Sequence, residues 1–371
     1  MPETHTIEPE KFASEQGFLA QMQHKLKPDW PFVRVMLLAI LALYISGQIL
    51  FMVVGKGGHA PSVDLDWYAE TVILRVIMFL FGFWIFRLVQ FNRKLKGGSL
   101  FPALMSAAKA NPFDIYRRFV LAGFAIALFS AKMGIFMSMK AAIPDIIPFY
   151  FDTFARKIDY VIFFGHDPWR ALSFLYTSDG GAIKFIDFFY MKWAPIVAGV
   201  WFYCFTSDGM ERLRRYQYCL ASLILFVLGG LIVATLLSSA GPVYYAYFTG
   251  DQQAYAGLLS ELSRINETKP LSTLRLQGPL LELYQAGERR VGGISAMPSM
   301  HCGSSFLILV AFWQNKKLRI FLAGYAALIY VGSFLLAWHY AIDGLVVIPL
   351  VWISWTLAGW ILRRYAQPTP A

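Results

Sequence analysis

Apolar residues in this chain fall in long runs separated by short polar segments. A membrane-spanning helix needs ~20 apolar residues, and eight runs approach that length: 32–54, 68–91, 119–139, 185–206, 218–240, 301–315, 319–338 and 341–362. The third contains Lys132 and the fourth Lys192, charges that weaken both as spans, and the sixth is short. The stretch 144–182 has no such run. It is aromatic and amphipathic, and reads as short helices along a membrane interface, either as a belt or as a lid beside an active site. No internal repeat, low-complexity tract or soluble domain is evident. The pattern predicts an all-α integral membrane protein of about eight transmembrane helices.

Composition agrees. Of 371 residues, 57% are hydrophobic and 15% charged, where a soluble protein carries about a quarter charged residues. The sign of the net charge, +10, would by itself suit nucleic acid, but the basic residues sit between apolar runs, as membrane anchors do. Segment 87–118 holds Arg87, Arg93, Lys94, Lys96, Lys109, Arg117 and Arg118 against Asp114. Segment 207–217 holds Arg212, Arg214 and Arg215. The turn "NKKLR" holds Lys316, Lys317 and Arg319, and the tail holds Arg363 and Arg364. Eight spans place all four regions and both termini on one side, which the distribution of positive charge makes cytoplasmic. Loop 241–300 carries five acidic and five basic residues and falls on the other side.

The expected organisation is a cytoplasmic segment 1–31, two N-terminal spans with a basic loop over 32–118, a catalytic core 119–362 and a cytoplasmic tail 363–371. The core includes an outer interfacial segment 140–184 and the outer loop 241–300. Residues 1–30 lack the short apolar core of a secretory leader. The three cysteines, Cys204, Cys219 and Cys302, have no metal-pair spacing and cannot form a fully paired framework.

The candidate chemistry lies at the outer ends of the last three spans. His301 opens the sixth span in "ISAMPSMHCGSS", and His339 closes the seventh in "LLAWHYAIDGLVV". Between them the chain descends, turns at "NKKLR" and returns. Each leg of about 15–19 residues covers roughly 22–29 Å, so both histidines come back to head-group depth. His339 and Asp343, spaced i and i+4, can share a helix face. An aspartate on one ring nitrogen fixes the tautomer and makes the other nitrogen a better nucleophile. Ser299 is placed to cap the sixth span, with Pro298 shaping its entry. Free N–H groups at such a helix start, facing a protein cavity, attract an anion, and His301 beside it can protonate a leaving oxygen. The set fits phosphoryl transfer through a phosphohistidine. Zinc or iron on two histidines and Asp343, a proton-coupled transporter and a polar pair that joins helices are the alternatives. A transporter would more often show broken helices or repeat symmetry.

These residues resemble a known family. "MPSMH" followed by "HYAID" is similar to the second and third signature motifs of the type 2 phosphatidic acid phosphatase superfamily, P-S-G-H and S-R-x5-H-x3-D. The resemblance covers residues 119–362 in layout and about twenty residues in motif. It implies a six-helix core formed by the third to eighth spans, no metal and no cofactor. It also implies His339 as nucleophile, Asp343 as its orienting carboxylate, His301 as general acid, and Ser299 with its neighbour Met300 around the phosphate.

Three departures narrow the resemblance. Met300 stands where the family has Gly, Ser333 where the third motif has Arg, and the first motif, K-x6-R-P, is missing. Arg289 and Arg290 in "GERRVGG" are candidate replacements for the lost cationic clamp, with Lys269 and Arg275 in "KPLSTLRL" behind them. The pattern resembles the branch of inositol phosphorylceramide and sphingomyelin synthases, which keeps the His–His–Asp set without the first motif. "SSAGPVYY" at 238–245 is similar to that branch's Gly/Pro-aromatic stretch. The branch implies transfer of a phospho-head group from a phospholipid donor to a lipid alcohol, with hydrolysis of a lipid phosphate by water as the alternative. It also implies an active site on the periplasmic face of a bacterial inner membrane, or the Golgi lumen in a eukaryote. The bilayer is the expected partner, nucleic acid is not, and the oligomeric state is not determined.

Overall fold

The computed structural model describes residues 17, 20–54, 102, 106, 111–287 and 292–366. Among these, the protein is an all-helical integral membrane protein. Its main helices are α1 (Trp30–Val54), α2 (Pro112–Ala141), α3 (Asp152–Ile162), α4 (Gly181–Met191), α5 (Trp193–Thr206) and α6 (Arg212–Val227). They continue with α7 (Ala256–Thr268), α8 (Leu274–Gln285), α9 (Met300–Ala311), α10 (Lys316–Leu335) and α11 (Ala341–Tyr365). Six stretches among the described residues are long and apolar enough to cross a membrane: Trp30–Val53, Pro112–Ile146, Gly181–Thr206, Arg212–Leu236, Lys316–Leu335 and Ala341–Tyr365. They coincide with six of the eight predicted runs. The run 68–91 lies outside the described residues, and the short sixth run becomes the 12-residue α9.

The shortness of α9 has a local cause. The carbonyls of Ala311 and Val310 accept hydrogen bonds from Arg214 Nε and Nη2 of α6 at 2.7 and 2.8 Å. The last turn is thus capped within the protein, and the helix need not reach water to satisfy it. α6 packs against α11, α9 and α5 and carries Tyr216, Tyr218, Leu225 and Phe226 in the core.

The two lysines that weakened the predicted spans are accommodated differently. Lys132 is fully buried. Its ammonium donates to Ser222 Oγ at 3.0 Å and lies 4.3–4.9 Å from the rings of Phe129, Trp201 and Phe226, so π faces replace part of its lost hydration. Lys192 falls at the junction of α4 and α5, where Pro195 in the first turn of α5 prevents one continuous helix.

α1 is fastened to the core at its start. Buried Asp29 accepts from Arg117 Nε at 2.7 Å and from Tyr216 Oη at 3.2 Å, and Phe32 stacks on Tyr216 at 4.9 Å. The aromatic stretch 144–182 forms the predicted short helices, α3 and the turns Pro168–Ala171 and Ser173–Leu175. α3 is amphipathic: Asp152, Ala155 and Asp159 are buried, while Phe154, Tyr160 and Val161 are exposed.

Candidate active site

Three chain segments meet at one end of the helix bundle: 238–241, 293–299 and 337–343. Ala296 N–H donates to the Ser239 carbonyl at 2.9 Å, and Met297 N–H to Ser239 Oγ at 3.0 Å. Val243 N–H donates to the Ala337 carbonyl at 2.9 Å. Gly241 allows this crossing. Its φ is +96°, and a Cβ there would lie 2.6 Å from the Trp338 carbonyl oxygen.

The turn between α10 and α11 delivers His339. Ala337 takes a left-handed conformation, φ +62°, which reverses the chain at the helix end. The amides of Trp338 and His339 then both donate to the Ser333 carbonyl, at 3.2 and 3.0 Å. Ser333, the position where the family has Arg, is fully buried and serves as a backbone anchor for His339.

His339 and Asp343 do meet, but not across a helix face as their spacing predicted. His339 precedes α11, and Asp343 sits in its first turn and folds back over the helix start. Asp343 Oδ2 lies 3.2 Å from His339 Nδ1 and accepts from the Tyr340 amide at 3.0 Å. A closer partner was not visible in the sequence: the Ala296 carbonyl, 2.8 Å from the same Nδ1. A carbonyl can only accept, so Nδ1 carries the proton and Nε2 keeps its lone pair. Burial, followed by the charge of nearby Lys140, lowers the pKa of His339 to about 3, so its ring is neutral near pH 7.

His301 is in the first turn of α9, and its ring centroid lies 5.9 Å from that of His339. The expected return of both histidines to one depth is therefore met, although the two legs differ in length. Tyr190 stacks on one side of His301 at 4.5 Å, and Trp193 lies at 4.3 Å. Ser299 caps α9, its Oγ accepting from Cys302 N–H at 3.4 Å, and its own amide donates to the Asp343 carbonyl at 3.1 Å. Met300 directs its side chain toward Gly229 and Gly230. A Cβ on Gly230 would lie 3.1 Å from Met300 Sδ and 2.5 Å from Phe136. The larger residue at the family's Gly position is matched by a glycine pair on the neighbouring element.

Of the four predicted cationic replacements, two are described. Arg289 and Arg290 lie outside the described residues. Lys269 is 3.5 Å from Asp179 in a partly exposed ion pair, and Arg275 is exposed on α8. Among the described residues, the cation near the histidines is Lys140 at the end of α2, where the backbone of Gly293 runs against Lys140 and Ala141. Its one sequence signal is a lysine at the end of a span assigned to the outer side, against the usual charge bias.

Two further residues, Asp152 and Asp159, were missed. They are seven apart on the buried face of α3. Asp159 accepts from the amides of Ala341 and Ile342 at 2.7 and 2.8 Å, capping α11 from outside. Asp152 accepts from the amides of Ala240 and Gly241 and from Tyr340 Oη, at 2.6–3.0 Å. Through them α3 holds the start of α11, just after His339, and the backbone of 240–241.

The described helical bundle thus brings two histidines and a buried carboxylate together at one end. The family model of the PAP2 superfamily matches residues 157–357, more than half of the chain, and the chain belongs to that superfamily. No curated protein and no solved structure matches it at the same standard. Membership of a superfamily of phosphatases and phosphotransferases suggests a lipid phosphatase or phosphotransferase activity.

Proposed function

We propose that this protein is a lipid phosphotransferase that moves a phospho-head group from a phospholipid to a lipid alcohol. The observation that carries the mechanism is the commitment of His339 Nδ1 to the Ala296 carbonyl, which leaves Nε2 as the nucleophile. Nε2 attacks phosphorus, and the bond from phosphorus to the diacylglycerol oxygen breaks. His301 gives its proton to that oxygen. The acceptor hydroxyl then attacks the phosphohistidine, loses its proton to His301, and the nitrogen–phosphorus bond breaks. Asp343 offsets the positive charge that His339 acquires. Lys140, Ser299 and Met300 at the start of α9, and Arg289 and Arg290 from the adjoining loop are assigned to the phosphate oxygens. Lys269 and Arg275 rank behind them, given their distance from the pair in sequence and their surroundings.

What supports transfer over hydrolysis is the aromatic wall around His301 and the burial of His339, which limit water at the reacting centre. The resemblance of "AMPSMH" and "WHYAID" to the synthase branch points the same way. The deciding experiment gives the purified full-length protein candidate phospholipids with and without ceramide or diacylglycerol. Head-group transfer that requires the acceptor is expected. Release to water at the same rate without any acceptor, as phosphorylated head group from a phosphodiester lipid or inorganic phosphate from phosphatidic acid, would replace this reading with a hydrolase, in the second case a lipid phosphate phosphatase.

The site is assigned to the outer membrane face, with both termini cytoplasmic. A single cysteine placed in 251–288 is then labelled by an impermeant thiol reagent added to intact cells. Labelling only after lysis would invert the topology.

A further inference from the structure

The fourth predicted span is interrupted close to His301. α4 ends at Met191 and α5 begins at Trp193. Pro195 has no N–H to continue the α4 ladder, and its ring excludes the carbonyl four residues back. On an unbroken helix, residues three apart stack on one face. Tyr190 and Trp193 are so spaced, one on each side of the break, and both reach the imidazole of His301. Tyr190 lies parallel to it, at 4.5 Å and 15°, and Trp193 is inclined, at 4.3 Å and 41°. Tyr190 is buried against Gly332 of α10, and neither Tyr190 Oη nor Trp193 Nε1 has a hydrogen-bond partner among the described residues.

His301 differs in this from His339. His339 is held by a carbonyl and a carboxylate, whereas no carboxylate among the described residues bonds to the ring of His301. The titratable groups around it are His339, Lys140 from α2, Cys302 beside it on α9, and Tyr190, with Asp343 and Tyr325 grouped near Tyr190; burial and the charges of His339 and Lys140 oppose a positive ring at His301. A proton donor in this position needs some other means of holding a positive ring in a fixed orientation. Aromatic faces supply both, since a ring quadrupole attracts a cation and flat stacking fixes the plane.

We propose that Tyr190 and Trp193 are positioning residues that clamp His301 between their rings, fix its orientation toward His339 and favour its protonated form. The inference rests on the assignment of His301 as the proton-transfer residue. The rings, rather than their polar atoms, carry the role.

The test compares Tyr190→Phe, Tyr190→Leu, Trp193→Phe and Trp193→Leu in the full-length protein, with His301→Ala and His339→Ala as references. The readouts are kcat, KM and the pH profile of head-group transfer. The two leucine variants are expected to lose roughly 10–100-fold in kcat with KM changed less than about threefold. Their alkaline limb should move down by about 0.5–1 pH unit, the size of a lost cation–π contact. The two phenylalanine variants keep kcat within about threefold and leave the limb in place, because the ring face is kept. Tyr190→Met and Trp193→Met replace the leucine variants if those do not fold. Non-aromatic variants with wild-type kcat and pH profile, beside an inactive His339→Ala, would overturn the clamp alone. Trp193→Phe as impaired as Trp193→Leu would also overturn it, by assigning the role to Nε1. Full activity in His339→Ala would remove the underlying mechanism instead.

Discussion

The Nδ1 atom of His339 is nearer to the carbonyl oxygen of Ala296, at 2.8 Å, than to Asp343 Oδ2, at 3.2 Å. The carbonyl fixes the tautomer whatever the protonation state of Asp343. The carboxylate is therefore left to offset the charge that His339 acquires during the reaction. His339→Ala should abolish transfer, with a loss of at least ~10³-fold. Asp343→Asn should lose less, because the Ala296 carbonyl still holds the ring. Lipid turnover by both purified variants checks the order, and Asp343→Asn as inactive as His339→Ala would refute the division of roles.

Lys140 is the cation that the described structure places near the histidine pair. Lys140→Met should reduce kcat/KM by roughly 10²-fold, as expected for loss of one charge-assisted phosphate contact. Lys140→Arg should recover part of it. Steady-state kinetics on both variants measures this, and a Lys140→Met enzyme with wild-type kcat/KM would remove Lys140 from the site.

Asp159 caps two amides of α11 from the neighbouring α3. Asp159→Ala leaves both amides buried without an acceptor and should cost about 2–4 kcal/mol. Asp159→Asn keeps one acceptor and should cost about half as much. Thermal melts in detergent give the comparison, with turnover expected to fall in parallel because the same turn positions His339.

Acid stability follows from groups whose proton affinity changes on folding. His339 falls to about 3 in the folded protein, against ~6.5 for an unfolded histidine. The folded state thus binds fewer protons between these values. Its stabilising effect is fully present above pH ~6.5 and is lost as the pH falls from there toward 3. Asp159, raised to about 7 by burial, acts in the opposite sense: the folded state holds its proton between pH ~4 and 7, so stability declines as the pH rises through that window. His339→Gln should flatten the loss of melting temperature between pH 6.5 and 4, and Asp159→Asn should steepen it. The same response in both variants would contradict the assignment.

How much of this was legible in the sequence depended on whether a feature is local. Six of the predicted spans appear among the described helices because a run of apolar residues and a helical rise need no distant partner. His301, His339 and Asp343 could be picked out because two consecutive antiparallel helices bring their ends back to one level. The α9–α10 pair does so despite legs of 12 and 20 residues. Ser299 was recognisable as a cap for the same local reason, its side chain closing on an amide three residues ahead.

Everything else at the site depended on contacts between residues far apart in the chain. The Ala296 carbonyl is a backbone atom, and nothing in an alanine's identity marks it as the acceptor for His339. Lys140, Asp152 and Asp159 precede His339 by about 200 residues and lie in segments whose composition suggests only a span end and an interfacial belt. The i, i+4 spacing predicted that His339 and Asp343 would meet, but only the turn at Ala337 decided that they meet across a helix start. Charge pattern, span count and the ends of two helices were set by local chemistry. The tautomer of the nucleophile, the cation beside it and the rings around His301 were decided by packing, because each is a contact between elements whose approach no local pattern encodes.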